Sequence, residues 1–220
     1  MRKIMLFLAL MAMLAACDDG VRKAYWENGN LKSELRYANG KLNGECVWYY
    51  QNGNKMSKGY YVDDVLEGYF MRWHPNGHIA EEGWYKNGIR DSIGYTYSEK
   101  GMLASEEHYR DGELNGEVKK WFDNGQLFQE GQYVDGLMDG AWYIYYPSGA
   151  LAGKADYKKG TGKQIGYAES GYKCFEVQYV NNVKHGREAY YNPDGRITRI
   201  VEYENGKMVF EDNNPQNSED

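Results

Sequence analysis

The sequence predicts an all-β protein, an elongated antiparallel β-meander of about eight 24-residue hairpin repeats. Three observations carry this. Glycines recur at Gly29, Gly53, Gly77, Gly101, Gly125, Gly149, Gly171 and Gly195, always 24 residues apart except for a step of 22 before Gly171. Two aromatic series keep phase with them, four residues before and eight residues after each glycine. The composition agrees: 22 tyrosines dominate the apolar content, mean hydropathy is −0.80, and 27 glycines stand against four prolines. A conventional core of this size uses far more Leu, Ile and Val, so short aromatic strands punctuated by glycine turns are expected.

The N-terminus is a separate element. Arg2 and Lys3 precede an apolar run from Ile4 to Leu14 that is too short for a transmembrane helix. Leu14-Ala15-Ala16-Cys17 resembles the lipobox of bacterial lipoproteins. The resemblance implies a signal peptide over 1–16, cleavage before Cys17, lipid on that cysteine, and a tether over 17–20. Acyl chains anchor because each buried methylene contributes ~0.8 kcal/mol. Asp18 resembles an inner-membrane retention signal, so two locations stay open: the inner membrane facing the periplasm, or the outer membrane. Cleavage removes two cations and no acid, taking the net charge from −6 to −8. Such an acidic surface disfavours nucleic acid and anionic headgroups as partners.

The array follows over 21–210. Pro75, Pro147 and Pro193 lie two residues before a repeat glycine, which fits a type I turn closed by a left-handed glycine, a three-residue loop with a G1 bulge. That loop pairs the aromatic before the turn (Tyr25, Tyr49, Trp73, Tyr97, Trp121, Tyr145, Tyr167, Tyr191) with the residue two after the glycine. Strict alternation then places the later tyrosines (Tyr37, Tyr61, Tyr85, Tyr109, Tyr133, Tyr157, Tyr179, Tyr203) on the same face. A second turn follows at Gly40, Asp64, Gly88, Gly112, Gly136, Gly160, Asn182 and Gly206, types that tolerate left-handed backbone. The short step falls in Lys159-Gly160-Thr161-Gly162 and predicts a turn two residues tighter than the others. About sixteen strands result, with small residues such as Gly131 leaving room for neighbouring rings. Cys46 and Cys174 fall five repeats apart, too far for a bridge, on the face opposite the aromatic stripe. Residues 211–220 read as a disordered acidic tail.

Gly116, Trp121, Gly125, Leu127, Gly131, Tyr133, Gly136 and Gly140 outline one unit, and this pattern resembles the MORN repeat family in its bacterial variant form. The resemblance spans 21–210; Asp64, Asn182, Ser92 and the short repeat six depart from it. It implies a hairpin array that serves as a binding or scaffolding surface. Bacterial members are often labelled antitoxins.

No Ser, Cys or Lys nucleophile has a base at a readable spacing, and no phosphate loop or dinucleotide fingerprint is present. The expectation is a non-enzymatic protein with no cofactor. His74 and His78 face each other across one loop without a third ligand, which argues against a metal site. Glu34, Glu82, Glu106, Glu130 and Glu176 recur five residues after a repeat glycine and read as a solvated row on the second face. The non-repeating aromatics are more informative: Trp48, Tyr50, Tyr60, Phe70, Trp84, Phe122, Phe128, Trp142 and Tyr146 are read as a patch on that second face. They form the candidate surface for a protein partner in the cell envelope. Burial by coiling of the sheet and homodimerisation are the alternatives for this face. Glycan or peptidoglycan binding through the rings, and antitoxin-like sequestration of a toxin, are the alternative functions.

Overall fold

The computed structural model describes residues 19–215. The signal peptide, Cys17 and residues 216–220 lie outside the described residues. The first third holds β1 (Gly20–Tyr25), β2 (Leu31–Ala38), β3 (Lys41–Leu42), β4 (Gly44–Tyr49), β5 (Lys55–Val62) and β6 (Val65–Trp73). Next come β7 (Ile79–Lys86), β8 (Ile89–Tyr97), β9 (Leu103–Arg110), β10 (Glu113–Trp121), β11 (Leu127–Val134) and β12 (Leu137–Tyr145). The last third holds β13 (Leu151–Lys158), β14 (Thr161–Tyr167), β15 (Lys173–Val180), β16 (Val183–Tyr191), β17 (Ile197–Glu204) and β18 (Lys207–Asp212). Consecutive strands pair antiparallel in one 18-stranded sheet, except that β3 and β4 both pair with β2, and β1 and β18 are its edges among the described residues. The expected meander is present. Two strands exceed the expected sixteen: the chain breaks at Asn43 into β3 and β4, and β18 extends past Gly206 to Asp212.

Two turn types alternate along the chain. At each repeat glycine a three-residue loop closes: Gly29 donates to the Trp26 carbonyl at 2.9 Å and Trp26 donates to the Asn30 carbonyl at 2.8 Å. Gly29 has φ +85°, a left-handed value that suits glycine. Tyr25 pairs with Leu31, Trp73 with Ile79 and Tyr191 with Ile197, the register that the prolines predict. The second turn has two residues, both left-handed, as in Asn87 (φ 52°) and Gly88 (φ 76°) between the paired Lys86 and Ile89. This is the type I′ geometry, whose twist matches that of the flanking strands.

The predicted faces are wrong beyond the loop, for a definite reason. Each hairpin carries a second bulge one step further along. Tyr49 pairs with Lys55 but Trp48 pairs with Ser57, so Met56 is left unopposed; the same shift recurs in every hairpin. One extra residue inverts the alternation. The later tyrosines therefore leave the face of the pre-turn aromatics and join Trp48, Phe70 and Trp142. Edge contacts show this directly: Trp48–Tyr61 at 5.7 Å, Phe70–Tyr85 at 5.6 Å and Tyr133–Trp142 at 5.0 Å.

This tyrosine face, the front, holds the core. Val118, Trp142 and Tyr157 cluster there with Leu114, Tyr133, Met138, Ala155 and Tyr179 against them. Cys46, Val177 and Val201 are buried on the same face. Cys46 therefore sits beneath the stripe, not opposite it, and burial pushes its thiol pKa up. The central front slot of successive repeats holds Cys46, Phe70, Gly94, Val118, Trp142, Gln164 and Glu188. Glycine opposite a ring makes the packing feasible: a Cβ on Gly131 would overlap the Trp142 indole.

Repeat six also differs from expectation. Its second turn is the same two-residue turn, with Lys158 paired to Thr161. The two missing residues come from the strand after it. Elsewhere that strand carries a wide bulge at a left-handed residue such as Gly68, where Lys58 pairs with Met71 but Tyr60 with Glu67. Between β13 and β14 the ladder runs without interruption.

Candidate functional site

Much of the repeat serves to stack one hairpin on the next. Along the loop edge, the asparagines flanking Gly29 and Gly53 reach the following loop. Asn28 and Asn30 donate to the Gln51 carbonyl at 2.9 Å, and Asn52 and Asn54 to the Pro75 carbonyl at 2.7 and 2.8 Å. His78 takes this role in repeat three, with Nδ1 at 2.9 Å from the Glu99 carbonyl, and His74 Nε2 lies 2.9 Å from the Tyr97 carbonyl. Both histidines thus act as rungs between repeats. Among the described residues, no group of three or more His, Cys, Asp or Glu side chains is arranged to hold a metal.

The expected aromatic patch divides into three. Trp48, Phe70 and Trp142 turn to the front; Trp142 is only 3% exposed and belongs to the core. Tyr50 and Tyr146 lie at the loop edge, where their hydroxyls donate to the Trp73 and Tyr167 carbonyls at 2.8 Å. Phe122 and Phe128 pack on each other at 5.0 Å beside one loop. Tyr60 and Trp84 remain on the back face, 51% and 49% exposed. The inverted alternation brings them a companion that sequence reading missed: Tyr69, 41% exposed, pairs directly with Trp84, their rings 5.3 Å apart. The available signal was positional. Tyr69 occupies a slot that holds Val21, Glu45, Ile93, Glu117, Ala141, Lys163 and Arg187 elsewhere.

Beside these rings lies Glu82, a member of the carboxylate row. Tyr69 donates its hydroxyl to Glu82 Oε2 at 2.5 Å, and Tyr97 donates to Oε1 at 2.6 Å. Desolvation, then the Glu82 carboxylate, pushes the Tyr69 phenol up to about 12 and drives Tyr97 in the same direction. Both phenols stay protonated donors at neutral pH. The row is therefore less solvated than expected: Tyr145 donates to Glu130 at 2.9 Å in the same relation. Towards repeat five the back face opens into a depression of about 400 Å³ lined by Glu117, Lys119, Glu130, Gln132, Ala141 and Tyr143.

The front face carries a different charge cluster. Glu81 accepts from Arg72 Nη2 at 2.8 Å and pairs with Arg90, which lies over the Tyr85 and Tyr109 rings. Glu188, 2% exposed, pairs with Lys184 at 2.8 Å. Both pairs are internally satisfied and read as structural. The back face of repeats two to four, with exposed rings next to an unneutralised carboxylate, is the arrangement suited to binding.

Five segments, 18–41, 42–63, 66–87, 114–135 and 138–159, match the family described as MORN repeat variant, together about half of the chain. No curated protein matches the sequence. Among solved structures, the chain is similar to part of the crystal structure of TcdB2-TccC3, with 14% identity and a TM-score of 0.21 over 88% of this chain and 13% of that one. It is similar also to the same assembly without its hypervariable C-terminal region, with 13% identity and a TM-score of 0.21 over 86% of this chain and 14% of that one. The chain thus spans about one-seventh of the structures it matches.

Proposed function

Because the chain belongs to the MORN repeat variant family, whose repeats are typically non-catalytic binding units, we propose that it is a lipid-anchored binding module of the bacterial cell envelope. Cys17 holds it to the membrane, and the back face of repeats two to four receives a protein partner. The observation that carries this reading is the exposed group Tyr60, Tyr69 and Trp84. The slot of Tyr60 and Trp84 holds Arg36, His108, Gln132, Asp156, Gln178 and Glu202 in the other repeats. Solvent-exposed rings gathered on one stretch of a polar array favour a contact surface. The tether is short. Asp19 already accepts the Asn39 N–H and Gly20 opens β1, so two residues separate Cys17 from the sheet, a reach of at most about 10 Å.

A photo-crosslinking residue at position 84, compared with one at the equivalent position 156, tests the surface in intact cells. The expected outcome is a discrete adduct from 84 alone, lost when Tyr60 and Tyr69 become serine. Equal adducts from both positions, or none from 84, sink the assignment. For the anchor, Cys17→Ser is expected to abolish palmitate labelling. A second reading, glycan binding, draws support from the same exposed ring pair beside a carboxylate; co-sedimentation with purified peptidoglycan, dependent on Trp84, separates it from protein binding.

A further inference from the structure

Two repeats treat the same carboxylate differently. In repeat seven, Glu176 is capped from within the chain: Lys163 and Lys173 each place Nζ 3.3 Å from it, and the Lys173 ammonium lies 3.7 Å from the centre of the Tyr191 ring. Burial raises the Glu176 pKa, but hydrogen bonds from Tyr191, Lys173 and Lys163 outweigh it and hold the carboxyl below its ordinary value. Repeat three has the equivalent carboxylate, Glu82, and the equivalent phenol, Tyr97. Its counterparts of Lys163 and Lys173 are Tyr69 and Ile79, and among the described residues no cation pairs with Glu82. The nearby Lys58 is engaged with Glu45 at 2.7 Å, and Arg72 and Arg90 are on the other face with Glu81. Where repeat seven has its lysines, repeat three has a carboxylate with two phenol donors and an open wall of Tyr69 and Trp84.

We propose that the Glu82 site receives a lysine side chain from the protein partner, its ammonium on the carboxylate and its methylene stem along Trp84. This deepens the partner-binding reading above and rests on it. The chemistry is that of repeat seven, transferred from an internal to an external cation. A carboxylate supplies the charge-assisted bond, and exposed indole and phenol faces attract a cation and cover its apolar stem. The net charge of −8 after cleavage steers a basic segment toward the protein.

The test uses the full chain and three capped tripeptides, Gly-Lys-Gly, Gly-Arg-Gly and Gly-norleucine-Gly, followed by NMR at the Trp84 indole N–H. The expected result is a saturable shift with the lysine peptide, at least about tenfold weaker with norleucine and reduced by added salt. Glu82→Gln, which keeps the side chain's size and one acceptor oxygen for a phenol but removes the charge, is expected to remove the preference for lysine. Tyr69→Lys installs the counterpart of Lys163 and is expected to close the site. Equal binding of lysine and norleucine overturns the charge argument while leaving the aromatic surface intact. No shift with any peptide overturns the site as a side-chain receptor, and the crosslinking outcome at position 84 then judges the surface independently. Stronger binding of the arginine peptide would overturn the assignment to lysine.

Discussion

The loop edge of repeats one to three and the front face of repeats five to seven solve one problem by different means. Both must hold a hairpin that is marginal alone against its neighbour. In the first region, asparagine and histidine side chains cross from loop to loop onto backbone carbonyls. In the second, one such bond remains, from Asn124 to the Pro147 carbonyl at 3.1 Å; beyond it Ser148, Ala150, Ser170 and Tyr172 stand in the equivalent loop positions, and stacking rests on Trp142, Tyr157 and Tyr179, whose rings meet edge to face at 6.4 and 5.7 Å. A repeat array approximates a sum of neighbour interfaces, so each interface can be secured locally by whichever device its residues allow. The exposed back-face rings lie in the first region, where the loop edge contributes to stacking and those rings are left free of it.

The largest expected effect comes from emptying the second region. Trp142→Ala is expected to destabilise by about 3–5 kcal/mol, with Trp142→Phe milder because the buried indole N–H has no partner; chemical denaturation measures both. Gly131→Ala drives a methyl into the Trp142 ring and is expected to cost about 1–3 kcal/mol, although alanine suits a strand better than glycine. A lower cost than for Gly83→Ala, which meets the Gly94 Cα at 3.3 Å and the Ile93 carbonyl oxygen at 3.4 Å, would show that the indole gives way.

The junction between the two devices is repeat six. Its shortened strand brings the turn of repeat seven back to repeat five: Asn182 Nδ2 donates to the Gly136 carbonyl at 2.8 Å and Oδ1 accepts the Met138 N–H at 2.9 Å. Asn182→Gly keeps the left-handed backbone and removes both bonds, an expected loss of about 1–2 kcal/mol readable as a lower Tm. At the loop edge, Asn52→Ala with Asn54→Ala is expected to cost about 1 kcal/mol in all, since solvent competes for exposed bonds. A loss as large as that of Trp142→Ala would erase the distinction between the regions.

The smallest effect is pH-dependent. The folded-state pKa of Glu176 is depressed, so its contribution is complete above the unfolded value near 4.5 and is lost as pH falls through the lower folded value. The stability gap between wild type and Glu176→Gln is therefore expected to shrink as pH is lowered from 6 towards 3, as thermal melts across that range would measure.

The period, the loop length and the left-handed turns were legible because each is set by a residue's own backbone preference. Proline fixes φ at the loop start, and glycine, asparagine and aspartate admit positive φ at both turns. The candidate surface was only partly legible. Tyr60 and Trp84 are where a polar slot turns aromatic, and composition by position finds them. Trp142 and Phe70 look equally anomalous, yet they face the core. The residues left unopposed at the second bulge include Lys32, Met56, Ala80, Phe128 and Thr198, which share no side-chain property, so no local signal announces it.

By itself, the sequence determined an antiparallel array of 24-residue hairpins, its family, its three-residue loop and the left-handed residues of its second turn. Only the tertiary structure decided which aromatics are buried, which are displayed, and that Asn182 reaches back across repeat six to repeat five. The physical reason is the same in each case. Turn geometry is written in single-residue dihedral preferences, whereas the face a side chain occupies depends on how two strands count residues against each other.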